Sequence, residues 1–97
     1  MIASRLEKYT IKRKEEVLMV EVETSSGESD TVVIYSGFSS SLVRPTSFDP
    51  DVPVIEDDAK IISIDRLASP YNPENPTYIQ TGLTLSEMEI LLSETGV

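Results

Sequence analysis

Between positions 17 and 23 the apolar residues fall on every second place. Leu18, Val20 and Val22 share one side, while Met19, Glu21 and Glu23 share the other. A period of two is the mark of a strand with one buried and one wet face. The turn formers Thr24, Ser25, Ser26, Gly27, Glu28 and Ser29 follow, and Thr31, Val32, Val33, Ile34 and Tyr35 resume as a nearly all-apolar, β-branched run. Together they predict a hairpin. Residues 6–12 place Leu6, Tyr9 and Ile11 among charges and read as an additional outer strand, whose lysines discourage edge-to-edge association.

The pattern changes in the middle of the chain. Pro45, Pro50, Pro53, Pro70, Pro73 and Pro76 fall within one window, where each fixes φ and removes a backbone donor. Long regular elements are excluded there, yet residues 37–59 are too many for a featureless loop, so short strands are expected near Leu42 and Val43 and over 52–55. Residues 60–66 return to strand composition, with Ile62 and Ile64 on one face and Ile61 on the other. The segment 69–76 contains two Asn-Pro steps, which favour extended geometry and turns, and 77–80 predict a last short strand.

The sharpest local signal lies near the end. Thr84 followed by Glu87 forms a capping box, and Leu83 and Met88 are spaced as its hydrophobic staple. Leu85, Met88, Ile90, Leu91 and Leu92 supply the apolar side of a helix, and Gly96 stands where a left-handed cap is common. The expected class is α+β, mainly β: a small twisted antiparallel sheet or partly open barrel with a C-terminal helix. Residues 1–14 are expected as a basic N-terminal arm or outer strand. Residues 15–97 are expected as one small domain, with a Pro-rich excursion at 37–59, the Asn-Pro segment at 69–76 and the helix at about 84–95.

Charge sharpens this picture. The chain of 97 residues has net charge −9. Arg5, Lys8, Lys12, Arg13 and Lys14 face only Glu7 in the first fourteen positions, so the acidity belongs to the rest. An acidic body repels nucleic acid and anionic membranes and favours basic partners. The chain has neither His nor Cys, so it lacks the side chain that titrates near neutrality and the soft ligands of most zinc and iron sites. Disulfides are excluded too. No apolar run reaches the roughly 18 residues of a membrane span, and no signal-peptide core opens the chain; a soluble protein in the cytoplasm is expected.

Candidate chemistry is sparse. Gly37, Phe38, Ser39, Ser40 and Ser41 resemble an anion-holding loop in outline, with Arg44 as a nearby charge, but the lysine and following helix of a phosphate cradle are missing; an ordinary turn explains them better. Asp49, Asp51, Glu56, Asp57 and Asp58 form an acidic cluster without the spacing of a calcium loop, and it reads as a solvated face or a docking surface. There is no Gly-x-Ser-x-Gly elbow and no Ser-x-x-Lys motif. No metal, cofactor or catalytic residue is expected. Tyr71 and Tyr78 bracket the Asn-Pro segment; extended backbone with aromatic ends can be a recognition surface, but a belt over the core, each ring buried and its hydroxyl hydrogen-bonded at the edge, is the preferred reading.

Residues 37–51, then Ile64, Asp65, Arg66 and Leu67, then Pro70, Tyr71, Asn72 and Pro73, then Tyr78 and Ile79, resemble as a set a family of small uncharacterised proteins of cyanobacteria and plastids. The resemblance covers residues from about 17 to 94. It implies a cyanobacterial cytoplasm or plastid stroma and assigns no activity or site residue.

The functional expectation is a non-enzymatic protein-interaction or assembly module. Its partner-binding residues would be Phe38, Ser39, Ser40, Ser41, Arg44, Phe48, Asp49 and Asp51, with charge steering the encounter and the phenylalanines supplying affinity. The alternative is a small β-barrel that binds single-stranded nucleic acid through a basic N-terminal strand, using Lys8, Lys12, Arg13 and Lys14. An exposed sheet edge is compatible with a homodimer.

Overall fold

The structure is a computed structural model that describes residues 2–42, 55, 59–72 and 74–97. Its elements are α1 (Ile2–Lys12), β1 (Glu16–Glu23), β2 (Ser29–Tyr35), β3 (Phe38–Ser41), β4 (Lys60–Ala68), β5 (Tyr78–Leu83) and α2 (Leu85–Thr95). The five strands form one open antiparallel sheet in the order β3-β2-β1-β4-β5. The barrel expectation is thereby narrowed to an open sheet with two edges, β3 and β5. Both helices lie on one face, α1 over β1 and β2, α2 over β4 and β5.

The alternation in β1 explains why it is central. Leu18, Val20 and Val22 are buried with Val32 and Ile34 of β2 and Ile64 of β4, under Leu6 and Tyr9 of α1 and Met88 and Leu92 of α2. Each such Leu, Val or Ile removed from water contributes about 1.5–3 kcal/mol. Ile55, from the connection between β3 and β4, joins the same cluster.

The N-terminal segment corrects the sequence expectation. Residues 6–12 form no outer strand and no separate arm; they are the greater part of α1, and Leu6, Tyr9 and Thr10 are buried. Ile2, Leu6 and Tyr9 recur at helical spacing, a stripe that is cut short when the window starts at Leu6. The cations then acquire a structural task. Arg5 donates twice to the Val97 carbonyl oxygen, at 3.2 and 3.1 Å, and Lys12 donates to that of Thr95 at 3.3 Å. Positive charge at the end of α2 complements its orphaned carbonyls and its dipole.

Two further differences have local causes. The β1–β4 register shifts between Glu21 and Val22, which pair with Ser63 and Ile61. Ile62 is the extra residue of this bulge and is half exposed, whereas Ile61 packs against the core. The expected sharing of a face by Ile62 and Ile64 is lost for that reason. Ser36 and Gly37 join β2 to β3 with φ of 51° and 86°, as a two-residue type I′ hairpin requires. The expected strands near Leu42 and Val43 and over 52–55 fall almost wholly outside the described residues; Leu42 itself lies beyond the end of β3.

The C-terminal helix follows its sequence signal. The Thr84 side chain accepts from the Glu87 N–H at 3.2 Å while Glu87 accepts from the Thr84 N–H at 3.0 Å. Leu83 and Met88 are both buried in the core, and Gly96 adopts the left-handed cap with φ 83°. Replacing Thr84 by Ala is expected to cost about 1 kcal/mol of unfolding free energy. Leu6→Ala, which hollows the layer between α1 and the sheet, is expected to cost about 3 kcal/mol. Urea denaturation measures both, and an effect of Leu6→Ala near zero would show that α1 is dispensable.

Candidate functional site

Helix α1 is joined to the sheet by a buried polar cluster at the Glu16 end of β1. Arg66 donates through Nε to Glu16 Oε1 at 2.7 Å and through a terminal nitrogen to Oε2 at 3.0 Å, a forked pair. The Tyr9 hydroxyl donates to the same Oε1 at 2.8 Å, and Arg66 also donates to Gln80 at 3.0 Å. Three elements therefore meet at one carboxylate, and Arg66 links it to a fourth, β5. Burial alone would raise the Glu16 pKa, but hydrogen bonds from Arg66 and Tyr9, with the charges of Arg66 and Arg13, overcome it and hold the group below its ordinary 4.5. Burial, then the hydrogen bond and charge of Glu16, push the Tyr9 phenol up to about 12. A carboxylate kept ionised and engaged on both oxygens is suited to holding elements together, not to exchanging protons.

Among the described residues no helix lies on the opposite face of the sheet. Cross-strand partners share a face, so the register arranges side chains there in a row. Phe38 of β3 pairs with Tyr35 of β2, and Val17 of β1 pairs with Leu67 of β4, which pairs with Tyr78 of β5. Since Leu18 pairs with Ile34, Val17 and Tyr35 are neighbours, and the row runs across all five strands. Val17 and Leu67 are buried at its centre, while Phe38 is 78% exposed, Tyr35 45% and Tyr78 50%. Glu21, Glu23 and Asp65 occupy the same face, with Lys60 paired to Glu23.

The sequence candidates separate under this geometry. Phe38, Ser39, Ser40 and Ser41 form strand β3, not an anion-holding loop. Ser39 donates to Glu7 Oε2 at 2.7 Å and Ser41 to the Asp30 carboxylate at 2.8 and 3.0 Å, so two hydroxyls already serve carboxylates that would repel an anion. Arg44, Phe48, Asp49 and Asp51 lie outside the described residues, as do Glu56, Asp57 and Asp58. Among the described residues no group of three or more acidic side chains is placed to hold a metal ion. Lys8, Lys12, Arg13 and Lys14 are exposed along α1 and the turn after it, on the layer facing away from the aromatic row. Lys8 and Lys12 flank a shallow groove of about 310 Å³ with Ile11, Gly96 and Val97.

Sequence reasoning singles out Phe38 at one end of the row but not the exposure of Tyr35 and Tyr78. Tyr35 reads as the end of an apolar run, and Tyr78 was expected to be a buried strap; it is half exposed, while Tyr71 is half-buried. Only the pairing of strands distant in the chain aligns them. No helix among the described residues is long and apolar enough to cross a membrane.

The polar cluster generates a pH signature. With a folded pKa below 4.5, Glu16 contributes stability that is present above 4.5 and lost as pH falls through the folded value. With a folded pKa raised from 10.0 to about 12, Tyr9 contributes stability that is complete below 10.0 and lost as pH rises toward about 12. Tyr9→Phe is expected to lower neutral-pH stability by about 1 kcal/mol and to remove the Tyr9 share of the alkaline loss. Urea midpoints of both proteins from acid to alkaline pH measure this; parallel alkaline limbs would contradict it.

No curated protein and no solved structure matches the chain. A family model described as Domain of unknown function (DUF7734) matches residues 3–92, a span that takes in all five strands and most of both helices. The chain belongs to the DUF7734 family.

Proposed function

We propose that this domain is a non-enzymatic interaction module in which the exposed aromatic residues on the sheet face opposite the helices dock a basic protein segment carrying apolar side chains. The observation that carries this reading is the exposure of Phe38 and Tyr35 at one end of the row and of Tyr78 at the other, on either side of the buried Val17 and Leu67. Rigid aromatic groups give large contact area at small entropic cost and dominate binding energy. Asp65, one step from the row, and Glu21, farther along the same face, favour a cationic partner and oppose a polyphosphate. The resemblance to proteins of cyanobacteria and plastids directs the search for that partner to the cyanobacterial cytoplasm or plastid stroma.

The nucleic-acid alternative finds less support. It needs basic and stacking groups on one surface, and Lys8, Lys12, Arg13 and Lys14 stand on the helical layer, away from Tyr35, Phe38 and Tyr78.

A synthetic peptide alternating lysine with leucine provides the probe. In an NMR titration its binding is expected to shift amides of β1 to β5 around Tyr35, Phe38, Leu67 and Tyr78, and to weaken with added salt. Phe38→Ala is expected to reduce affinity about tenfold, and a lysine peptide without leucine is expected to bind more weakly. Shifts confined to the helical layer, or tight binding of a single-stranded oligonucleotide through Lys8, Lys12, Arg13 and Lys14, would refute the proposal.

A further inference from the structure

Among the described residues strand β5 is an edge of the sheet, hydrogen-bonded to β4 on one side only. Five of its six residues are exposed, with Tyr78 at 50% and Ile79 at 47%, and only Leu83 is buried. No residue of β5 is charged and none is proline. Soluble sheets ordinarily protect such an edge with lysine, proline, a bulge or a covering segment; β5 meets β4 through two register shifts but has neither of the first two. Here residues 78–81 keep strand-forming aromatic, β-branched and amide side chains at the rim, ahead of Gly82 at φ 67°.

We infer that β5 is the seam of a homodimer, in which two copies pair residues 78–81 antiparallel about a two-fold axis and join their sheets edge to edge. The charge distribution selects the occupant. Two bodies of net charge −9 repel, so their contact requires an uncharged stretch, and residues 75–86 contain no charged side chain. A basic partner strand finds no carboxylate on β5 to recognise, whereas an identical uncharged strand meets no like charge there. Antiparallel pairing about a two-fold axis is also self-complementary, as an isologous interface demands.

The other edge suits this pairing less. Strand β3 has four residues, and the side chains of Ser39 and Ser41 are bonded to Glu7 and Asp30 of their own chain. Pairing through β5 sets the two α2 helices on the same side of the joined sheet, because α2 packs over β4 and β5. The half-exposed Ile90 of α2 then lies on the helix beside the seam. The open faces join on the opposite side, so the surface proposed above for a basic partner is doubled rather than occluded.

A strand-to-strand seam is small beside standard protein interfaces, so dimerisation is expected to depend on concentration. Sedimentation equilibrium on the full chain, without any peptide, is expected to show the mass rising from 10.7 kDa toward twice that value as concentration increases. Amide exchange in residues 78–81 of the unaltered protein is expected to be slowed at high concentration and released on dilution. Ile79→Lys, which sets like charges across the seam, and Thr81→Pro are expected to hold the protein monomeric with a native circular-dichroism spectrum. Phe38→Ala is expected to leave the dimer intact, which separates this inference from the docking proposal. A monomer at every concentration, a dimer that survives both β5 substitutions, or concentration-dependent protection of β3 in place of β5 would overturn it.

Discussion

One carboxylate joins the two layers of this protein. Glu16 opens β1, the central strand, and accepts hydrogen bonds from Tyr9 on α1 and Arg66 on β4, while Arg66 reaches on to Gln80 of β5. A buried ion needs most of its lone pairs engaged, or its desolvation exceeds its attraction to a partner. The forked arginine and the phenol meet that requirement, and among the described residues no buried side-chain polar atom lacks a partner. Hydrophobic contact would let α1 slide along the sheet; the phenol-to-carboxylate bond fixes where it sits. The hairpin end is fixed as well, since the Thr10 hydroxyl accepts from the Gly37 N–H at 2.9 Å.

Much of this architecture is written in local patterns. The alternation of Leu18, Val20 and Val22 marks the central strand, and Thr84 with Glu87 marks the start of α2, because both signals reside within a few residues of one another. The Glu16–Arg66 pair spans 50 positions and has no local trace. Helix α1 is legible only if the stripe is followed back to Ile2. The displacement of Ile62 is invisible in its own strand, since a bulge is defined by the partner's count. The aromatic row is the extreme case: Phe38 stands out as a candidate in the sequence, but its alignment with Tyr78 depends on four successive registers.

The two faces of the sheet divide the chemistry. On the covered face the polar groups are consumed internally: Ser39 by Glu7, Ser41 by Asp30, Arg66 by Glu16. On the opposite face apolar and acidic residues stand beside one another in register. Basic residues gather on the helical layer, where Arg5 and Lys12 are engaged at the end of α2. The charge split along the sequence thus becomes a split within the helical layer, between α1 with Arg5, Lys8 and Lys12 and α2 with Glu87, Glu89 and Glu94.

The route of the chain also bears on the order of assembly. Helix α1 and strands β1 to β3 follow one another through short turns, so their mutual contacts close small loops. Strand β4 reaches its place beside β1 only after the chain has crossed from the far edge through residues 42–59. Closing a longer loop sacrifices more chain freedom before any contact compensates it. The ladder between β1 and β4, which pairs Glu16 with Ala68, is therefore the pairing in this sheet that carries the largest closure cost.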